Sequence, residues 1–173
     1  MKLYPGKIPM MAQEIAAALA SAGDIDVRDQ ALNEVELDVA SVLKEYVRVE
    51  REVTDQAREL ISRRDLDFTS LNKIKQRIAD ERGFGLEDDA VEYIVKQIIE
   101  MLMHSVHVEE VYAEDNVLRR KTAEVLRKYM NVDNDLDREV RRRIKNLQEG
   151  TTGWEIEYRR LMEDLRRTRR APR

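Results

Sequence analysis

Apolar residues recur along this chain in steps of three and four, with few interruptions. Ile8, Met11, Ile15, Leu19 and Ala22 form the first stripe, and their spacing predicts a helix that Gly23 stops. The link "DIDV" follows. Val35, Val39, Val42, Tyr46, Val49, Val53, Ala57, Leu60 and Ile61 then predict one long helix. It starts between Val27 and Glu34 and ends near Arg64, and its alternating steps of four and three make a heptad seam. Leu71, Ile74 and Ile78 predict a short helix from Ser70 to Asp80, with Thr69 or Ser70 as its N-cap. "RGFGLEDD" breaks the chain. Its "GFG" reads as a turn, and Asp88 or Asp89 reads as the cap of the next helix.

The plan then repeats. Val91, Ile94, Val95, Ile98, Ile99 and Leu102 predict a fourth helix. After "HSVHVEEVYAED" a second long helix carries Leu118, Val125, Tyr129, Val132, Leu136, Val140 and Ile144. Its repeated steps of four make the seam drift around the helix. "QEGTTG" breaks it, and Trp154, Tyr158, Leu161 and Leu165 predict the last helix.

"ASVLKEYVRV" from Ala40 and "AEVLRKYMNV" from Ala123 lie 83 positions apart. At the same offset Ile15 meets Ile98, Leu19 meets Leu102, Asn33 meets Asn116, Leu43 meets Leu126, and Tyr46 meets Tyr129. Arg58/Arg141, Ile61/Ile144 and Leu71/Trp154 extend the match, and the coincidence of apolar positions predicts an internal duplication. Residues 1–83 form one repeat and 84–173 the other, the two sharing one core. A helix of about 32 residues is about 48 Å long at its usual rise, too long for either short neighbour to cover. The expected fold is therefore all-α, internally duplicated and pseudo-two-fold. An antiparallel four-helix bundle forms the base, and two helical arms project from it in a Y shape. Tyr46 and Tyr129, at equivalent seam positions, read first as core residues, with a recognition role as the alternative; a meeting across the pseudo-axis would let the pair set the register.

Composition narrows the chemistry. The chain of 173 residues is 42% hydrophobic, 38% charged and only 5% aromatic, with no cysteine. Disulfides, thiolate metal sites and cysteine nucleophiles are excluded. The start "MKLYPGKIPMMAQEIAAALASAG" is interrupted by Pro5, Gly6, Gln13 and Glu14 and reads as no export signal. No apolar run approaches the roughly 20 residues of a membrane helix, so the expected location is the cytoplasm, with no membrane partner. Net charge is −4, split into +5 from Asp137 onward and −9 before it.

The words "MKLYPGKIPMMAQEIAAAL", "GDIDV", "EVELDVASVLKEY" and "VYAEDNVLRRKTAEVLRKY" together resemble a bacterial family catalogued as domain of unknown function 507. The resemblance covers nearly the whole chain and implies an all-helical, pseudo-symmetric, Y-shaped fold with a four-helix base. It implies no activity, and it carries over no catalytic residue.

Few residues offer chemistry. His104 and His107 form an H-x-x-H pair beside Glu109 and Glu110, the one weak candidate for a metal site. Their counterparts in the first repeat are Ser21 and Asp24, so surface histidines at a turn are the better reading, and no metal or cofactor is expected. Glu34, Glu36, Asp38, Glu50 and Glu52 lie off the seam, where carboxylates are solvated and unsuited to acid–base work. No phosphate-cradling or nucleophile-elbow motif occurs, and no catalytic residue is assigned.

Partner binding is the remaining class. Trp154 is the single tryptophan; packing onto Val140 and Ile144 is the plainer reading, and a partner hot spot is the sharper one, because its arm is too thin to bury both sides of an indole. Arg159, Arg160, Arg166, Arg167, Arg169 and Arg170 follow it. The leading expectation is a non-enzymatic scaffold that binds protein partners, or a second copy, through its arms, with apolar residues exposed at the arm tips. The alternative is an RNA- or ribosome-associated protein using the basic C-terminal arm. A metal-dependent enzyme is the third reading, against which stands the absence of Glu-x-x-His ligand pairs.

Overall fold

The computed structural model describes residues 2–149 and 151–170; the side chains of 131–135, 166, 169 and 170 also lie outside the described residues. The chain is all-α apart from one small ribbon. Its elements are α1 (Ile8–Ser21), β1 (Ile25–Val27), α2 (Leu32–Arg64), α3 (Leu71–Glu81), α4 (Ala90–His104), β2 (Val108–Val111), α5 (Asp115–Arg143) and α6 (Thr152–Arg170).

Local chemistry accounts for most boundaries. Gly23 takes a φ of +70° after α1, where a side chain would be strained. α2 ends without glycine: Asp65 adopts the left-handed conformation, and the Leu66 amide reaches back to the Ile61 carbonyl at 3.1 Å. The expected cap of α3 lies elsewhere. Asp67, not Thr69 or Ser70, accepts from the Thr69 amide at 2.9 Å and starts a 3-10 turn leading into the helix. A second 3-10 turn, Glu87–Asp89, leads into α4, and neither Asp88 nor Asp89 makes a side-chain cap bond there. "GFG" is more than a turn. Gly83 has a φ of +63° and Phe84 is buried. A Cβ on Gly85 would stand 2.6 Å from Tyr93 Cβ and 2.7 Å from the Asp89 carbonyl oxygen, so only glycine fits that approach.

Helices α1, α2, α4 and α5 close a ring of contacts: α1 on α2, α2 on α4, α4 on α5 and α5 on α1. α3 packs on α2, and α6 packs on α5. Several positions 83 apart share their burial. Ile15 and Ile98, Leu19 and Leu102, Val35 and Leu118, and Leu43 and Leu126 are all essentially inaccessible. One apolar cluster joins both halves, and a second is confined to α5, α6 and Tyr4.

The two long helices occupy opposite corners of this ring, so Tyr46 and Tyr129 find separate partners. The Tyr46 hydroxyl donates to the Gly85 carbonyl at 3.1 Å, and its ring stacks on Phe84. The Tyr129 hydroxyl donates to Glu14 at 2.6 Å, and Lys128 pairs with the same carboxylate at 2.7 Å. These bonds hold the Glu14 carboxyl below its ordinary value of 4.5, the Lys128 contact being the larger cause. A depressed carboxyl stabilises the fold above its ordinary pKa, and that contribution is lost as pH falls through the folded value. Glu14→Gln should therefore lower the melting temperature at about pH 7, and the gap from wild type should close on acidification below about pH 4.5. A gap that does not change with pH would contradict this.

The links before the long helices, expected as plain connections, pair with each other. β1 and β2 are antiparallel, with Ile25 opposite Val111, Asp26 opposite Glu110 and Val27 opposite Val108. The Asp24 carbonyl accepts from the Tyr112 and Ala113 amides, and its buried carboxylate pairs with Lys121. No helix among the described residues is long and apolar enough to cross a membrane.

Candidate functional site

The residues that stand out lie where the two outer helix pairs meet. The turn between α2 and α3 and the turn between α5 and α6 are the tips of the expected arms. They touch each other. Gln148 Nε2 donates to Asp67 Oδ1 at 3.4 Å, and Arg58, two turns before the end of α2, pairs with Glu155 at the start of α6. Both side chains of that pair are about one-third exposed, so solvent screens it only in part.

Beside these contacts Leu66 is 42% exposed, Leu147 44% and Ile156 64%. Leu147 folds back toward Gly153, its Cδ2 standing 3.8 Å from where a Cβ on that glycine would lie. Three large aliphatic side chains thus remain in water at a junction built from both halves. Single exposed leucines are ordinary, whereas a group of them at a junction marks a contact surface.

The N-terminal strap lies between the same helix pairs. Leu3 is buried in the main core and Tyr4 in the second cluster. The Tyr4 and Tyr158 hydroxyls are 2.7 Å apart, and Tyr158 donates onward to Asp137. Tyr158 has one proton, so Tyr4 is the donor in the first bond. Burial, followed by the bonds to Asp137 and Tyr4, pushes the Tyr158 phenol well above its usual range. The Lys2 ammonium sits 5.3 Å from the centroid of the Tyr158 ring. It also acts on Glu50 of α2 and Lys75 of α3, both half-buried. Loss of water raises the Glu50 carboxyl and lowers the Lys75 ammonium.

A family model described as a protein of unknown function, DUF507, matches residues 1–170. The chain belongs to the DUF507 family. No curated protein matches it. In this DUF507 protein the matched span takes in the strap, both tips and all six helices.

Trp154 is half-buried against the second cluster. It stacks on Tyr158 with ring centroids 4.8 Å apart, and the Arg141 guanidinium lies 5.4 Å from the indole. Arg159, Arg160 and Arg167 are exposed along α6. The side chains of Arg166, Arg169 and Arg170 lie outside the described residues. Several arm arginines are held within the arm: Arg141 by Asp137 and Glu149, Arg143 by Glu139, and Arg160 by Glu157 at 3.6 Å.

The two histidines do not share a helix. His104 is the last residue of α4, Ser105 turns extended, and His107 precedes β2. His104 Nδ1 lies 2.8 Å from the Glu100 carbonyl oxygen. Among the described residues no three His, Cys, Asp or Glu side chains gather where they could hold a metal ion.

Sequence reasoning picked out Trp154 and the arginines. It expected apolar residues at the arm tips without naming them, and it missed the strap. "MKLYPG" did contain a signal, an aromatic beside a Pro-Gly corner. Leu66, Leu147 and Ile156 lie in turns or off the helical stripe, so periodicity passes over them.

Proposed function

We propose that this DUF507 protein is a non-enzymatic interaction protein of the cytoplasm that engages partner proteins through its joined arm tips. The observation that carries this reading is the exposed group Leu66, Leu147 and Ile156 at the junction tied by Arg58–Glu155 and Asp67–Gln148. An apolar patch with a charged rim is the usual anatomy of a protein-binding surface. Trp154 is an aromatic anchor at its edge. RNA binding by the basic arm draws less support, because Arg141, Arg143 and Arg160 are already paired with carboxylates of that arm.

The test is affinity capture with crosslinking and mass spectrometry in the native host, using wild type and a Leu66→Ser/Leu147→Ser/Ile156→Ser variant. These side chains are exposed, so the variant should keep its helical circular dichroism. It should lose the proteins crosslinked to the tips. Unchanged capture of every partner would sink the proposal. Capture of RNA that weakens steeply with salt would favour the basic-arm reading instead.

A further inference from the structure

One half of the base carries an open groove lined with acids where the other half places lysines. Between α2 and α4 runs an open groove of about 430 Å³ with an apolar floor of Val42, Val49 and Met101. Asp38 and Glu45 stand on its α2 side, and Phe84 and Tyr93 close one end. Past those two rings the surface continues into a second hollow that carries Asp80, Asp89 and Glu92. Neither lining contains a lysine or an arginine. Arg48 pairs with Glu45 from outside the groove and is shared with Glu52, which Arg82 also reaches at 3.7 Å, so the negative character of the lining rests chiefly on Asp38, Asp80, Asp89 and Glu92. Among the described residues, Asp38 accepts from a neutral donor, Ser105 Oγ at 2.8 Å.

The equivalent place in the other half, between α5 and α1, shows what such a surface receives. Tyr129 stands where Tyr46 stands, and two ammonium groups approach its ring, Lys128 at 5.3 Å and Lys7 at 5.8 Å from the centroid. Lys128 is anchored by Glu14, and Lys121 is anchored by Asp24. Under the 83-position offset, Lys128 corresponds to Glu45, Lys121 to Asp38, Lys7 to Ala90, and Glu14 to Gln97. No cation of that set has a counterpart at the α2/α4 groove, and two of its lysines are replaced by acids. Apolar cover changes too: Val125 is buried, whereas Val42 at the matching position is half-exposed.

We propose that the α2/α4 groove docks a lysine-rich amphipathic helix of a partner protein. Its apolar face covers Val42, Val49 and Met101, and its ammonium groups lie beside Tyr93 and between Asp38 and Glu45. A groove between two helices accepts a third by ridge-in-groove packing. The face of an aromatic ring next to carboxylates favours ammonium over neutral groups. The acidic rim sets the sign of the partner and speeds its approach. The groove shares no residue with the arm tips, so this inference does not rest on the proposed function.

The experiment titrates an amphipathic leucine–lysine helical peptide into the full chain, with a leucine–glutamate peptide as control, and maps amide shifts by NMR. The lysine peptide should bind and shift the amides of Val42, Glu45, Tyr93 and Met101, and the glutamate peptide should not. Asp38→Lys/Glu45→Lys should weaken binding by about tenfold. Reversing two exposed acids on other helices, Glu124→Lys/Glu163→Lys, should change it by less than about twofold. Circular dichroism checks that both variants are folded. Absence of binding, shifts centred outside the groove, or equal weakening by the two reversals would overturn the proposal. So would self-association of the free protein that is abolished by Asp38→Lys/Glu45→Lys, because the occupant would then be a second copy.

Discussion

Leu43→Ala and Leu126→Ala should each lower the unfolding free energy by about 2–5 kcal/mol. The two leucines are equivalent under the 83-residue offset, and both are fully buried in one cluster that joins the halves. Each truncation removes apolar transfer energy and leaves a cavity that the surrounding helices close only in part. Leu→Met at the same sites keeps the volume and should cost less than about 1.5 kcal/mol. Urea unfolding followed by circular dichroism measures both changes. The sharper expectation is that the two alanine variants cost similar amounts, because each leucine sits at the same place in its half of the ring. A loss below about 1 kcal/mol at either site would mean that its half contributes little to the shared core.

Phe84→Ala is the second large effect, with an expected loss of about 3–5 kcal/mol. Phe84 is 4% exposed and fills the corner between α3 and α4. Its ring stacks on Tyr46 at 4.9 Å and meets Tyr93 edge-on at 4.9 Å. The same ring closes one end of the α2/α4 groove, so peptide binding there should weaken along with stability. Phe84→Leu retains much of the volume and separates the two readouts: stability should largely return, while the aromatic ring at that end of the groove stays lost. Full stability in Phe84→Ala would show that the corner is held by the backbone alone.

Much of the framework was written into the chain. Steps of three and four located all six helices, and the offset of 83 paired Ile15 with Ile98, Leu19 with Leu102, and Leu43 with Leu126. All six of those residues are buried. These features are legible because helix period and side-chain apolarity are local properties, repeated over enough turns to stand clear of chance. The seam was less exact. Val42 and Val49 share it with Tyr46 and Val53, yet they are half-exposed and line a groove. A heptad pattern states that a face is apolar and leaves open whether anything covers it.

Long-range pairing was decided by the tertiary structure alone. The β1–β2 ribbon joins segments of three and four residues, too short to carry a periodicity of their own. Tyr4 meets Tyr158 across 154 positions, and Arg58 meets Glu155 across 97. The same offset gave no warning that Tyr46 and Tyr129 would choose different partners, Gly85 and Glu14. Helix formation depends on neighbours a turn away, so the chain specifies it by itself. Which tip touches which, and which groove is left open, depends on how finished helices pack, and that choice exists only once the ring has closed.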